Sequence, residues 1–209
     1  CYETVDGWIY ACNSELVPGG GVGALAFSHD AGNDTTSVTD AYRILSNTRF
    51  NCAGGKTPWN TWLSCEEQGD GAVFECDPYT RTDADAVRKP NLGLFSHEAV
   101  AVDPRNQVIY LTEDGGDQSR FYRWIPTPGD WPSGGRAAMD SGTLQVMNIE
   151  GFENGGYSQD PAALRQLLRV SWENVFRNDI DQSTARDESI NAQGFAPGTR
   201  TPGGEGLWF

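Results

Sequence analysis

Residues 51–67 read NCAGGKTPWNTWLSCEE. They set the thiol of Cys52 in a polar, glycine-flanked loop, then a short aromatic strand, then the adjacent carboxylates of Glu66 and Glu67. A thiolate is a ligand for a transition metal, whereas carboxylates also serve harder cations. Further acids recur at the ends of strand-like runs or in loops: Glu15, Glu98, Asp114 and Glu205. A rigid scaffold usually presents functional groups at such places. The bland reading of Cys52 is an inert buried thiol, and its polar neighbours argue against it. The bland reading of Glu66 and Glu67 is a solvated acidic pair. Successive side chains of a regular strand point to opposite faces, so both reach one site only if the strand is irregular there.

The segments that must position these groups are short and β-like. Candidate strands cover residues 7–12, 22–27, 39–45, 61–65, 73–76, 98–102, 108–112, 121–125 and 143–149. Turn signals separate them: Pro18-Gly19-Gly20-Gly21, Gly32-Asn33-Asp34, Asp103-Pro104-Arg105-Asn106 and Gly115-Gly116-Asp117. Strands of this length at this spacing predict an all-β sandwich, barrel or propeller. The run from residue 98 to residue 126 reads as three consecutive antiparallel strands, like part of a propeller blade. No repeat of fixed length accompanies it. One helix is predicted over residues 160–169, with Asp160 as cap, Pro161 in the first turn and Leu164, Leu167 and Leu168 on one face. Otherwise residues 150–204 read as a long inter-blade insertion.

The chain of 209 residues suits one domain, with a formal net charge of −14. Nucleic acid is excluded as a natural partner, because phosphate contacts need clustered Lys and Arg. Bound cations suit the excess acid, as does plain solubility. No apolar run approaches the roughly 18 residues of a membrane span. The five cysteines fit no zinc ribbon or CxxC pattern, and Cys12, Cys65 and Cys76 read as small buried hydrophobes. Cys1 opens the chain without a signal peptide, and Gly206-Leu207-Trp208-Phe209 ends it like mid-strand. Residues 1–209 therefore read as a single propeller domain truncated at both ends.

The stretch 52–67, with Pro58-Trp59, Thr61 and Cys65-Glu66-Glu67, resembles the signature of the PhoX alkaline phosphatase family. Weaker segments follow in the same order: Asn13-Ser14-Glu15, Leu92-Gly93-Leu94-Phe95-Ser96-His97-Glu98, Leu111-Thr112-Glu113-Asp114, Phe121-Tyr122-Arg123-Trp124, Ser141-Gly142-Thr143-Leu144-Gln145-Val146 and Glu205-Gly206-Leu207-Trp208. The resemblance implies a six-bladed propeller, incomplete here, exported to the periplasm or outside the cell, with iron and calcium at its centre. It implies Cys52 as an iron ligand, and Glu15, Glu66, Glu67, Glu98 and Glu205 as carboxylates shared among iron and calcium. Beside it stands a physical case: iron tolerates a thiolate, calcium takes oxygen donors, and a propeller gathers residues distant in sequence around one channel. Asp114 either binds calcium or caps the Gly115-Gly116 turn. His97 reads as structural, and Trp59, Trp62, Tyr110 and Trp124 as packing between blades.

The implied activity is metal-dependent hydrolysis of a small phosphate monoester, with Cys52, Glu66, Glu67 and Glu98 at its chemical heart. Two departures weigh against it. The family carries an arginine where this chain has Gly203, and an aspartate where it has Asn47. They keep open a calcium-stabilised extracellular propeller without turnover; a weaker third reading is a lactonase-like hydrolytic propeller, which also uses central calcium.

Overall fold

The computed structural model describes residues 1–156 and 167–208. Three antiparallel sheets follow one another along the chain, each an up-and-down meander. The first runs β1 (Tyr2–Thr4), β2 (Gly7–Ser14), β3 (Gly20–Asp30) and β4 (Thr35–Thr48). The second runs β5 (Asn51–Lys56), β6 (Trp62–Glu66), β7 (Val73–Cys76) and β8 (Val87–Arg88). The third runs β9 (His97–Asp103), β10 (Val108–Glu113), β11 (Phe121–Pro126), β12 (Gly142–Ile149) and β13 (Val170–Asn174). One helix, α1 (Gln182–Gln193), follows. The fold is all-β in propeller style, and among the described residues the three blades do not close into a ring.

Every strand expected from the sequence is present, most of them extended by a residue or more. Two hairpins use the same turn chemistry. Asp30 accepts from the backbone N–H of Gly32 and Asn33 and from the Asn33 amide, and Asp103 does the same for Arg105 and Asn106. The residue that follows each asparagine, Asp34 or Gln107, then turns through positive φ. A side chain that binds its own backbone two residues on folds the turn locally.

The sheets stack through two apolar clusters. Tyr2, Ile9, Val22, Ile44, Leu45 and Cys76 fill the space between the first and second sheets. Leu63, Val73, Phe95, Val100, Ile109, Tyr122, Trp124 and Leu144 fill that between the second and third. Burial of each large side chain contributes about 1.5–3 kcal/mol, so these clusters hold the blades in register. Trp124 belongs to this packing as expected, while Tyr110 stacks on Phe121 with ring centroids 5.9 Å apart.

The segment around Cys52 is a strand and not the loop expected from its glycines. β5 lies against β6 on one side and β9 on the other. A Cβ on Gly54 would stand 1.9 Å from the Leu63 carbonyl oxygen, and one on Gly55 would stand 2.0 Å from that of Val100. The glycines therefore serve close strand packing. The helix expected over residues 160–169 lies outside the described residues except for its last three, which are not helical and lead into β13. That strand joins the third sheet, so the region 150–204 is partly built into a blade. α1 escaped the sequence reading because it has no apolar stripe, burying only Gln182, Ala185 and Ser189. Its ends are nonetheless marked. Asp181 accepts from the Thr184 N–H, and Gly194 closes the helix at φ 86°.

A candidate metal centre at two strand bulges

The register of β5 and β6 slips by one residue at Cys52. Asn51 pairs with Glu66 and Gly54 with Ser64, so Cys52 and Ala53 together face Cys65. Such a bulge re-aims a side chain out of the regular alternation. It also leaves strand carbonyls unpaired, and Asn13 at the end of β2 takes them. Its amide nitrogen donates to the Ala53 carbonyl at 2.6 Å and to that of Cys52 at 3.3 Å.

β9 carries the matching irregularity. Leu111 pairs with Val100 and Glu113 with His97, so Glu98 and Ala99 together face Thr112. The Thr112 hydroxyl accepts from the Ala99 N–H at 3.0 Å and donates to the Glu205 carbonyl at 2.9 Å. Because β5 and β9 pack side by side, the two bulges meet. The Cys52 thiol donates to Glu98 Oε1 across 3.3 Å.

Three more acids complete the cluster. Glu67 follows the last residue of β6 and is turned inward by its N–H, which donates to the Phe50 carbonyl at 2.8 Å. Asp114 follows β10 and donates its N–H to the Ser96 carbonyl. Glu15 follows β2. Candidate ligand atoms of Glu15, Cys52 and Glu67 lie within 4.8 Å of one another, and those of Glu67, Glu98 and Asp114 do likewise. Glu67 is common to both groups. Asp114 also accepts from the Gly116 N–H, so it caps its turn and joins the cluster at once.

The electrostatics point one way. Burial pushes the Glu98 carboxyl above the ordinary range, and the charges of Glu67, Glu205 and Asp114 push it further against the bond from Cys52. Burial likewise raises Glu67, with Glu15, Asp114 and Glu205 as repelling neighbours. Burial, then Glu98 and Glu67, drive the Cys52 thiol far up. Among the described residues no ion pair reaches Glu15, Glu67, Glu98, Asp114 or Glu205. Converging acids without a basic partner destabilise one another's charged forms. A thiol with several carboxylates is a donor set that fits cations, one tolerant of sulfur and one content with oxygen.

Glu66 belongs elsewhere. It is buried, and its two carboxylate oxygens accept from the backbone N–H groups of Arg49 at 3.1 Å and Ala72 at 3.2 Å. It pins the turn that leads into β5 and stands in neither donor group. Strand alternation gives the reason: β6 keeps its pleat through Glu66, and only Glu67, past its end, swings into the cluster. Glu205 presents its backbone carbonyl to Thr112 and its charge to Glu67 and Glu98, while its side chain is in neither group. His97 is structural as read. It is fully buried against Phe95, a ring nitrogen lies 3.1 Å from the Gly93 carbonyl, and burial holds its imidazole down at about 3. Cys65 and Cys76 are buried thiols, but Cys12 is exposed, contrary to expectation, because its β2 position faces away from the apolar cluster. Sequence reasoning missed the supporting role of Asn13 and the part played by Thr112. No local signal separates either from an ordinary strand residue.

Cys52 and Asn13 line a cavity of about 520 Å³ together with Tyr10, Trp62 and Trp208. A second cavity of about 670 Å³ adjoins Thr112 and is walled by Phe121, Met147, Arg120, Arg200 and Gly203. At Gly203 a Cβ would meet nothing within 4 Å.

Comparison with known proteins gives two positive findings. The family model described as "Alkaline phosphatase PhoX" matches residues 29–208. Among solved structures the chain is similar to that of Pseudomonas fluorescens PhoX in complex with vanadate, a transition state analogue, with a TM-score of 0.60 and 19% identity. That match covers 87% of this chain and 46% of the other, so the chain spans about half the length of that relative. No curated protein matches it.

Proposed function

The chain belongs to the PhoX alkaline phosphatase family, and we propose that it carries the metal-binding part of a phosphoric monoester hydrolase. The observation that carries this reading is the pair of donor groups sharing Glu67. In this reading Cys52, Glu15 and Glu67 hold a thiol-tolerant cation such as iron. Glu67, Glu98 and Asp114 hold a calcium ion, with Glu205 adding negative charge from the rim. Bound cations would supply Lewis acidity toward a phosphoryl oxygen.

The residues of the chain do the rest. The bulges fix Cys52 and Glu98 on rigid strands, while Glu15, Glu67 and Asp114 stand one residue past the ends of theirs. Gly55 lets β5 come close enough to β9 for the donors to converge, and Gly54 lets it lie equally close to β6. The part-buried Cys52 thiol and the crowded carboxyls would give up their protons to bound cations, which would tie occupancy to proton release. Gly203 leaves open space in the cavity that adjoins Thr112. Export to the periplasm or beyond accords with the family. Among the described residues no helix is long and apolar enough to cross a membrane.

The full chain loaded with iron and calcium should release phosphate from p-nitrophenyl phosphate and stop doing so after chelation. Absence of turnover in the loaded protein would reject the phosphatase reading. A second reading is favoured by Gly203 and Asn47, which remove an arginine and an aspartate that the family carries. In it the chain is a calcium-stabilised propeller module without turnover. Elemental analysis separates the two in part, since calcium without iron selects the second.

A further inference from the structure

The bulged peptide that carries Cys52 is held by a directed chain of side-chain hydrogen bonds. The Thr48 hydroxyl donates to Asn51 Oδ1 at 2.6 Å. The Asn51 amide donates to Ser64 Oγ at 3.0 Å. Ser64 donates to Asn13 Oδ1 at 3.1 Å, and Asn13 donates to the Cys52 and Ala53 carbonyls. Trp62 Nε1 also donates to Asn13 Oδ1, at 2.8 Å. An indole N–H only donates, so the oxygen of the Asn13 amide must face Trp62 and its nitrogen must face the bulge. The orientation of this amide is therefore set by chemistry, and both of its ends are used.

Among the described residues, Asn13 is the side chain that donates to both carbonyls of the bulge. β6 offers a single residue, Cys65, opposite the two residues Cys52 and Ala53, so the ladder cannot take both carbonyls. Asn13 comes from another sheet and stands two residues before Glu15. Partners that orient ligands typically change metal affinity about 10–100-fold when removed.

We propose that Asn13 is a positioning residue for the Cys52 thiol: its amide clamps the Cys52–Ala53 bulge and so fixes where the sulfur stands relative to Glu67 and Glu98. This rests on the reading of the cluster as a metal site. Asn13 itself touches no cation or substrate in this scheme.

The test uses cobalt(II) alone as the probe and the full chain, titrated where circular dichroism shows each variant folded. Wild type should develop a thiolate-to-cobalt charge-transfer band that Cys52→Ala abolishes. If wild type shows no such band, the metal reading fails, and this proposal with it. Asn13→Leu keeps the shape and charge of the site but not the clamp. It should bind cobalt about 10–100-fold more weakly, with a weaker or displaced charge-transfer band. Trp62→Phe removes one of the two donors that orient the amide and should give a smaller loss of the same kind. A Cys52-dependent band in wild type that is unchanged in position, intensity and affinity in Asn13→Leu overturns the proposal. If Asn13→Leu does not fold, Asn13→Ser is judged by the same criteria.

Discussion

Cys52 Sγ lies 3.3 Å from Glu98 Oε1, although 46 residues separate them in the chain. The contact exists because each of the two adjoining strands, β5 and β9, inserts one extra residue at the same level. A one-residue slip moves a strand's side chains to the opposite face. Here two local slips turn one thiol and one carboxyl toward a common point while the flanking residues keep their places in the core.

The neighbouring acids Glu66 and Glu67 should respond oppositely to the same change. Glu67→Gln should weaken cation binding sharply with little change in melting temperature, because Glu67 is common to both donor groups. Glu66→Gln places an amide against the N–H groups of Arg49 and Ala72. It should lower stability by about 1–3 kcal/mol and leave cation affinity within a few-fold. Isothermal titration and thermal melts of both variants check this, and the reverse pattern would refute the assignment.

Gly55 is the spacer between the bulges. Gly55→Ala sets a methyl group 2.0 Å from the Val100 carbonyl. Overpacking of this kind costs about 1–3 kcal/mol. The strands should part, so cation affinity should fall along with the denaturation midpoint. An alanine variant with wild-type affinity and stability would show that β5 and β9 need not approach so closely.

Glu75 predicts how the second sheet behaves in acid. Burial by itself would raise its pKa, but Trp59 Nε1 at 2.8 Å, Arg136 at 2.8 Å and the Thr61 hydroxyl at 2.7 Å outweigh that and hold the carboxyl below its ordinary 4.5. Lys89 adds a cation at 3.5 Å. A depressed pKa in the folded state stabilises above the ordinary value, and that contribution is lost as pH falls through the folded value. Denaturation midpoints of wild type should drop as pH falls from about 4.5 downward. Glu75→Gln should be less stable at neutral pH and should lose the Glu75 share of that slope. Parallel pH profiles would remove Glu75 as the cause.

Arg186 of α1 forms a two-pronged pair with the buried Glu113, at 3.1 and 3.2 Å, and also donates to the Tyr122 hydroxyl at 2.8 Å. Arg186→Met leaves that carboxylate buried without its cation, which should cost about 3–5 kcal/mol. Adding Glu113→Leu should recover much of the loss. If the double variant is as unstable as the sum of the single ones, the pair is not what docks α1 to the third sheet.

Much of the fold was legible because β-strands write their burial into residue alternation and their turns into Asp, Asn, Gly and Pro. The strands around Val22, Val73, Val100 and Val146 were all visible in this way. β5 was not, since Gly54 and Gly55 lower strand propensity for a reason found only in their neighbours' carbonyls. α1 was not, since it has no apolar stripe and is held by polar contacts such as Arg186 reaching Glu113 in another element.

The same division runs through the site. Residue types and their order along the chain were enough to name a thiol and a set of acids as cation ligands, because donor chemistry belongs to the side chain itself. Which acids converge was decided in three dimensions. The pleat of β6 sends Glu66 to the backbone of Arg49 and Ala72, the end of that strand frees Glu67, and two bulges bring Cys52 to Glu98. Direction depends on register, and register is settled by pairing between strands that are distant in sequence.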